Sequence, residues 1–237
     1  MMRALIAPDQ VLRVPLFPVL ATQALLVRRN ARLLPEPTGP REGRTGRGPR
    51  LRLLITGDSS AAGVGAGTQA QALSGQLVDR LARHHSVEWQ LEATTGHTTL
   101  DTIDRLRGIK GEFDAVVTAL GVNDVTRAVS CRTFSERQAQ LINILSNELE
   151  ARRIIITGVP QMHRFPALPH PLAWVLGRQA ARLDNALQQV VSVHSHVQHL
   201  RLDLPDDPAL AAPDGYHPSP RAYALWADAA ARLLLQA

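Results

Sequence analysis

From residue 51 onward, short apolar runs alternate with segments whose apolar residues recur at helical spacing. The first run, Leu51 to Thr56, is typical of a strand buried on both faces, and Leu73, Leu77 and Leu81 after it share one helical face. Further apolar runs predict strands at 87–93, 113–120, 153–157 and 197–202. This alternation predicts an α/β fold with a central, mostly parallel five-stranded sheet and helices on both of its faces.

The segments between the predicted strands carry helix signals of their own. Apolar residues share one helical face within 98–106 and again within 172–191. Thr133 with Glu136 three residues later has the form of a capping box, which predicts the start of a helix at that point. A last helix is predicted after Pro218.

The first 34 residues follow a different pattern. The apolar segment from Val14 to Val27 is interrupted by Pro15 and Pro18 and falls short of the roughly 20 residues that cross a bilayer, so we do not expect a spanning helix. We favour a helix packed on the main domain. An interfacial membrane contact through residues 1–34 and a signal peptide are the alternatives, and the arginines directly after the apolar segment disfavour export.

The composition of the chain also bears on its division into domains. Residues 35–50 are rich in Pro, Gly and Arg and have too little apolar content to fold alone, which predicts a linker. We therefore expect two parts: an N-terminal apolar segment with its linker at 1–50, and one folded domain at 51–237. With 45% hydrophobic and 20% charged residues in 237, the chain is typical of a soluble globular protein.

The net charge of +5 does not by itself indicate a nucleic-acid partner. Aromatic residues make up only 4% of the chain, and we find no zinc-finger spacing, basic heptad or RNA-binding signature, so we expect no nucleic-acid binding. Cys131 is the single cysteine, which excludes an internal disulfide. It fits a reducing compartment, so we favour a cytoplasmic location, with membrane association or export as alternatives. The oligomeric state stays open.

Four polar clusters follow predicted strands or precede a predicted helix: Gly57-Asp58-Ser59, Gly96, Gly121-Val122-Asn123-Asp124, and Asp214 with His217. Each cluster alone has an ordinary explanation as a turn or a helix cap. Together they supply a nucleophile, a histidine, a carboxylate and amide donors at one edge of the sheet. That set of groups is what acyl transfer requires.

On these four clusters the chain resembles the SGNH, or GDSL-type, hydrolase superfamily, whose sequence blocks occur here in the same order over about residues 51–237. The resemblance implies a three-layer α/β/α sandwich. The Gly-x-Asn-Asp and Asp-x-x-His blocks are the specific parts. Ser60 stands where the family often has its name-giving leucine, which leaves the position of the nucleophile intact.

The chemistry of the residues agrees with what the resemblance implies. A serine hydroxyl needs a base to take its proton during attack on a carbonyl, so Ser59 is the expected nucleophile and His217 the base. Asp214 is expected to orient the imidazole. The backbone N–H groups of Ser59 and Gly96 and the side-chain amide of Asn123 are the expected oxyanion donors. This mechanism needs neither a metal nor an organic cofactor.

Two further pairs of residues have secondary roles in this interpretation. Asp58 and Asp124 are expected to brace the turns that hold the neighbouring functional residues. Met162 and Phe165 lie in the loop after the fourth predicted strand, at the same sheet edge, and are candidates for lining a substrate pocket.

Other functions fit the residues less well. His194, His196 and His199 suggest a metal site, but their spacing crosses a predicted helix-to-strand boundary. The glycines at 63–67 match neither common nucleotide-binding loop. An α/β-hydrolase has its serine later in the sheet. We therefore predict a serine esterase acting on small ester substrates. A thioesterase or lysophospholipase-type lipid hydrolase using the same site, and a non-catalytic binding module presenting its basic N-terminal arm, are the alternatives.

Overall fold

The structure is a computed structural model that describes residues 8–236. One six-stranded sheet forms its centre, with the strands in the order β1-β3-β2-β4-β5-β6. All neighbouring strands are parallel except β1, which runs antiparallel to β3 at one edge. The strands are β1 (Glu42–Thr45), β2 (Arg50–Gly57), β3 (Ser86–Ala93), β4 (Ala115–Ala119), β5 (Arg153–Thr157) and β6 (Val197–Leu200).

Helices cover both faces of the sheet, which confirms the predicted α/β architecture. They are α1 (Pro8–Asn30), α2 (Ser59–Ala62), α3 (Leu73–Leu81), α4 (Thr99–Leu106), α5 (Val122–Thr126), α6 (Cys131–Asn143), α7 (Leu172–Val191) and α8 (Pro220–Leu235). Short 3₁₀ turns lie at Gln69–Gln71, Met162–Arg164 and Pro208–Leu210, and a π-helical turn at Ile144–Glu148 follows α6.

The central strand β2 divides the core into two layers, because successive side chains of a strand point to opposite faces. Leu54 is fully buried against α4, α6 and α7. Leu53 and Ile55 are fully buried on the other face, against α3 and α8. Burial on both faces explains why β2 reads as a continuous apolar run in the sequence.

The strand count of five is wrong, because β1 lies in the segment expected to be a linker. All four residues of β1 are exposed, so the strand has none of the apolar residues by which the others are recognised. Its backbone pairs with β3, from Glu42 opposite Gln90 to Thr45 opposite Val87. Gly43 leaves room for the Trp89 indole of β3, whose ring nitrogen lies 3.3 Å from where a Cβ would stand.

The start of α6 also differs from the prediction. Ser130, not Thr133, is the N-cap, and its hydroxyl oxygen accepts a hydrogen bond from the Thr133 backbone N–H at 3.1 Å. Both residues favour caps, so the sequence pattern fitted either register. The α4 helix does have a capping box, formed by Thr98 and Asp101.

The N-terminal helix α1 is longer than the apolar segment Val14–Val27 that predicted it, and it runs through Pro15 and Pro18. Its 23 residues contain an 18-residue window of mean hydropathy 1.5, so by length and composition it could cross a membrane. A signal sequence near the N-terminus would have the same length and composition. The expectation that this segment is too short to span a bilayer is therefore wrong on length.

Polar contacts attach α1 to the start and middle of α7. The guanidinium of Arg182 donates to both carboxylate oxygens of the buried Asp9, each at 2.8 Å. Near the other end of α1, the Gln23 side-chain amide donates to the His170 carbonyl at 2.6 Å and accepts from the Leu172 backbone N–H at 3.1 Å. Asp9 is the one residue of α1 that is buried, so most of the helix surface stays at least partly exposed.

Candidate active site

The proposed nucleophile lies where β2 ends. Gly57 has φ +150° and its position faces the Ala119 carbonyl of β4 so closely that a side chain would collide with it. The chain then turns, and Ser59 becomes the first residue of α2. Asp58 caps this helix: one of its carboxylate oxygens accepts from the Ser60 backbone N–H at 2.9 Å and from the Ser60 hydroxyl at 2.6 Å.

The loop between the 3₁₀ turn at Pro208–Leu210 and α8 brings Asp214 and His217 to the same place. His217 Nε2 lies 2.9 Å from Ser59 Oγ, and His217 Nδ1 lies 2.6 Å from Asp214 Oδ2. Since an ionised carboxylate only accepts hydrogen bonds, the imidazole proton belongs on Nδ1, and Nε2 is left to accept the serine proton. The three side chains form one continuous hydrogen-bonded line.

Asp214 is held in its ionised form by its partners. Burial by itself would raise its pKa, but the His217 ring and the backbone N–H groups of His217 and Tyr216 donate hydrogen bonds to the carboxylate. The two backbone bonds are both 3.0 Å long and end on Oδ1. As a result, the pKa of Asp214 lies below its usual value.

Gly96 and Asn123, two of the expected oxyanion residues, follow β3 and β4, the strands that pair with β2 on either side. Gly96 has φ +85°, a conformation that favours glycine, and the space where its Cβ would stand is open. Asn123 stands in α5, and its side-chain amide donates to the His97 carbonyl at 2.9 Å, which ties it to the turn containing Gly96. A second contact on that turn runs from the Arg127 guanidinium to the Gly96 carbonyl, at 3.1 Å.

Asp58 and Asp124 are both buried beside functional residues. Burial raises the pKa of Asp58 to about 6, although the hydrogen bonds from Ser60 oppose the shift. Burial also raises the pKa of Asp124, against the hydrogen bonds that Thr99 donates from its N–H and hydroxyl, both at 3.0 Å. Through this contact Asp124 joins α5 to the start of α4.

A cavity of about 530 Å³ opens over Ser59. Phe165 lines it, but Met162 is fully buried in the core and is not among its lining residues, so the expectation for Met162 is wrong. Tyr216 is a lining residue that the sequence interpretation missed. Its ring makes edge contacts with Phe165 at 5.2 Å and with His217 at 5.5 Å between ring centroids. Its position between Asp214 and His217 in the sequence could have indicated that it lies at the site.

The histidines near β6 do not come together as a metal site. His196 hydrogen-bonds the Ser146 hydroxyl at 2.8 Å, and His199 pairs with the Asp184 carboxylate at 2.8 Å. Within residues 8–236, no group of three or more His, Cys, Asp or Glu side chains is arranged to hold a metal ion.

The sequence profile of the GDSL-like lipase/acylhydrolase family matches residues 55–225. The chain belongs to this family. A GDSL-like esterase of Mycobacterium tuberculosis is 28% identical over 192 residues, which cover 75% of this chain and 60% of that protein. The chain therefore spans about three fifths of the length of that relative.

Solved structures of other hydrolases share the fold. A lipase/acylhydrolase from Enterococcus faecalis superimposes with a TM-score of 0.60 at 21% identity, covering 78% of this chain and 95% of the other. The psychrotrophic esterase EstA from Pseudoalteromonas gives a TM-score of 0.60 at 19% identity, covering 78% and 97%. These likenesses place the chain in the SGNH hydrolase fold.

Proposed function

We propose that this GDSL-family chain is a serine esterase that hydrolyses carboxylic esters through an acyl-serine intermediate. The observation that carries the proposal is the line of hydrogen bonds from Asp214 through His217 to Ser59. In this line the Asp214 carboxylate orients the His217 imidazole, and the imidazole is placed to take the proton of the Ser59 hydroxyl.

In the first half of the reaction, Ser59 Oγ attacks the ester carbonyl carbon as His217 Nε2 takes the hydroxyl proton. Asp214 stabilises the imidazolium that forms. The tetrahedral intermediate then collapses, the bond to the alcohol oxygen breaks, and His217 returns the proton to that oxygen. Water repeats the sequence on the acyl-serine and releases the acid.

The negative oxygen of the intermediate needs donors that are already aimed at it. We assign this role to the backbone N–H groups of Ser59 and Gly96 and to the Asn123 amide. The Ser59 N–H is at the first position of α2, where a helix has no internal acceptor to offer. The second proton of the Asn123 amide is free to donate while the first is bound by His97.

Hydrolysis of p-nitrophenyl acetate and labelling by a fluorophosphonate test the proposal. Wild-type protein should turn over the ester and carry the label on Ser59. Ser59→Ala should abolish both, while Ser60→Ala, which changes the adjacent serine, should retain both. Turnover that survives in Ser59→Ala would overturn the assignment.

Two alternatives for the same chain are separated by their substrates. A thioesterase or lysophospholipase would prefer an acyl thioester or lysophosphatidylcholine over an oxygen ester of the same acyl chain by kcat/KM. A binding module without catalysis would neither turn over any of these substrates nor take the label while folded. Turnover of oxygen esters at the highest kcat/KM supports the esterase.

We also propose that residues 1–34 contact an anionic membrane surface. The outward face of α1 is apolar, with Val14 at 78% and Leu25 at 68% exposure; Arg28 and Arg29 lie in its last turn, and Arg32 follows the helix. Flotation with vesicles containing phosphatidylglycerol should carry the wild-type protein upward. The double variant Val14→Asp/Leu25→Asp should lose this binding, whereas Val193→Asp, at an exposed valine elsewhere, should keep it. Equal flotation of all three proteins would exclude this surface.

A further inference from the structure

A second cavity, of about 1180 Å³, lies beneath α1. One wall is the inner side of α1, including Leu20, Ala21 and Val27. The opposite wall is formed by the loop 166–169 and the first turns of α7, including Leu172 and Leu176. The side chains that face each other across this space are therefore mostly apolar.

This cavity reaches the proposed catalytic residues. Asp214, Tyr216 and His217 line it, and so does Thr95, the neighbour of Gly96. Tyr216 and His217 also line the cavity that opens over Ser59. The two cavities thus meet at the imidazole, so a substrate bound at Ser59 can extend a substituent under α1.

The way α1 is attached leaves this space unfilled. The helix is attached at one end by the ion pair of Asp9 with Arg182 and near the other by the two hydrogen bonds of Gln23. Leu20, between these polar contacts, and Val27, beyond Gln23, pack against the core while remaining partly exposed. A helix that covers an apolar space without filling it is suited to an apolar ligand.

We propose that the cavity beneath α1 holds the alkyl chain of the ester substrate, so that α1 is one wall of the substrate site and esters with medium or long chains are preferred. The inference rests on the proposed esterase function. The alkyl chain is the chosen occupant because the cavity is mostly apolar and reaches His217. An alkyl chain would occupy the apolar space under α1 while the ester group attached to it lies at His217.

The preference follows from the transfer of methylene groups out of water. Each fully buried methylene improves binding about fourfold, and a methylene that stays partly hydrated improves it less. Across p-nitrophenyl esters from acetate to dodecanoate, below their micelle concentrations, kcat/KM of the wild type should therefore rise by at least 10²-fold before it levels off.

A tryptophan on the inner side of α1 tests the position of the chain. Ala21 is half-buried and lines the cavity, so Ala21→Trp should shrink the space and lower kcat/KM at least ten times more for dodecanoate than for acetate. Leu25→Trp is the matched control, because Leu25 is on the same helix but is 68% exposed. It should follow the wild type along the whole series.

Direct binding separates this inference from the proposed function. In Ser59→Ala protein, 11-(dansylamino)undecanoic acid should bind with increased fluorescence, dodecanoate should displace it, and acetate should not. Adding Ala21→Trp should weaken binding at least tenfold. Binding of the fatty acid without any ester turnover by the wild type would support the cavity and reject the esterase. Acetate turnover with neither a chain-length preference nor fatty-acid binding would overturn the cavity assignment.

Discussion

His217 Nε2 lies 2.9 Å from Ser59 Oγ, although 158 positions of sequence separate the two residues. The pair is held by backbone contacts on the histidine side: the Ala212 N–H donates to the His217 carbonyl at 2.8 Å, and a β-bridge joins Ala211 to Pro218. These contacts make the imidazole part of a fixed loop. The distance is short enough for direct proton transfer without a bridging water.

Because the two side chains act in one step, their removal should not be additive. We expect Ser59→Ala and His217→Ala each to lower kcat for p-nitrophenyl acetate by roughly 10⁴ to 10⁶, and the double variant to lose no more than the worse single variant. Steady-state kinetics of the four proteins measures this. A double variant whose loss equals the product of the single losses would show that the residues act independently.

The Asp214 carboxylate should matter more for catalysis than for folding. In Asp214→Asn, the side-chain oxygen can still accept from the backbone N–H groups of Tyr216 and His217, so the loop should keep its shape. The amide group cannot hold the imidazole proton on Nδ1 as a carboxylate does. We expect kcat to fall about 10⁴-fold with a small change in Tm. A loss of less than tenfold in kcat would contradict this role.

Asn123 should act on the transition state. Removing one oxyanion donor costs roughly 2.7–4 kcal/mol, so Asn123→Ala should lower kcat by about 10² to 10³ with little change in KM. The variant also loses the hydrogen bond to the His97 carbonyl. Thr126→Ala controls for this, since it removes a hydrogen bond from the same turn, the 3.2 Å contact to the Asn123 carbonyl, and no oxyanion donor. The control should keep kcat within about threefold.

Asp58 should make stability fall as pH rises. Its folded pKa of about 6 lies above the ordinary value of 3.8, so the folded protein binds this proton more tightly than the unfolded chain. Well below pH 3.8 the group is protonated in both states and does not affect stability. Above pH 6 the buried charge costs the folded state about 3 kcal/mol.

The variant Asp58→Asn removes this charge and keeps an oxygen for the bonds from Ser60. We expect its free energy of unfolding to exceed that of the wild type at pH 8 by up to about 3 kcal/mol, and the difference to shrink towards zero as the pH falls well below 3.8. Urea unfolding at three pH values measures it. A difference that stays constant with pH would mean that Asp58 is not the titrating group.

Prediction of the fold from sequence succeeded where a strand is buried and failed where it is not. β2 and β5 can be recognised in the sequence as apolar runs, because both of their faces are covered. β1 has four exposed residues, and only its backbone pairing with β3 makes it a strand. Backbone hydrogen bonds across a sheet edge leave no mark on side-chain composition.

The N-terminal helix was also predicted only in part from the sequence. Its apolar residues indicated a helix, but its length depended on Pro15 and Pro18 being accommodated, which the sequence pattern argued against. Which side of it faces the domain is decided by Asp9 and Gln23, whose partners on and next to α7 lie roughly 150 residues or more away.

By itself, the sequence determined the order of strands β2 to β6 and of the longer helices, the family, and the polar residues that follow the strands. These features are local, because periodicity reports burial and short motifs report turns. Tertiary structure alone decided that Tyr216 lines two cavities, that Met162 is buried in the core, and that α1 covers a mostly apolar space next to His217. The physical reason is that a cavity is the space left between elements distant in sequence, and its shape depends on how they pack.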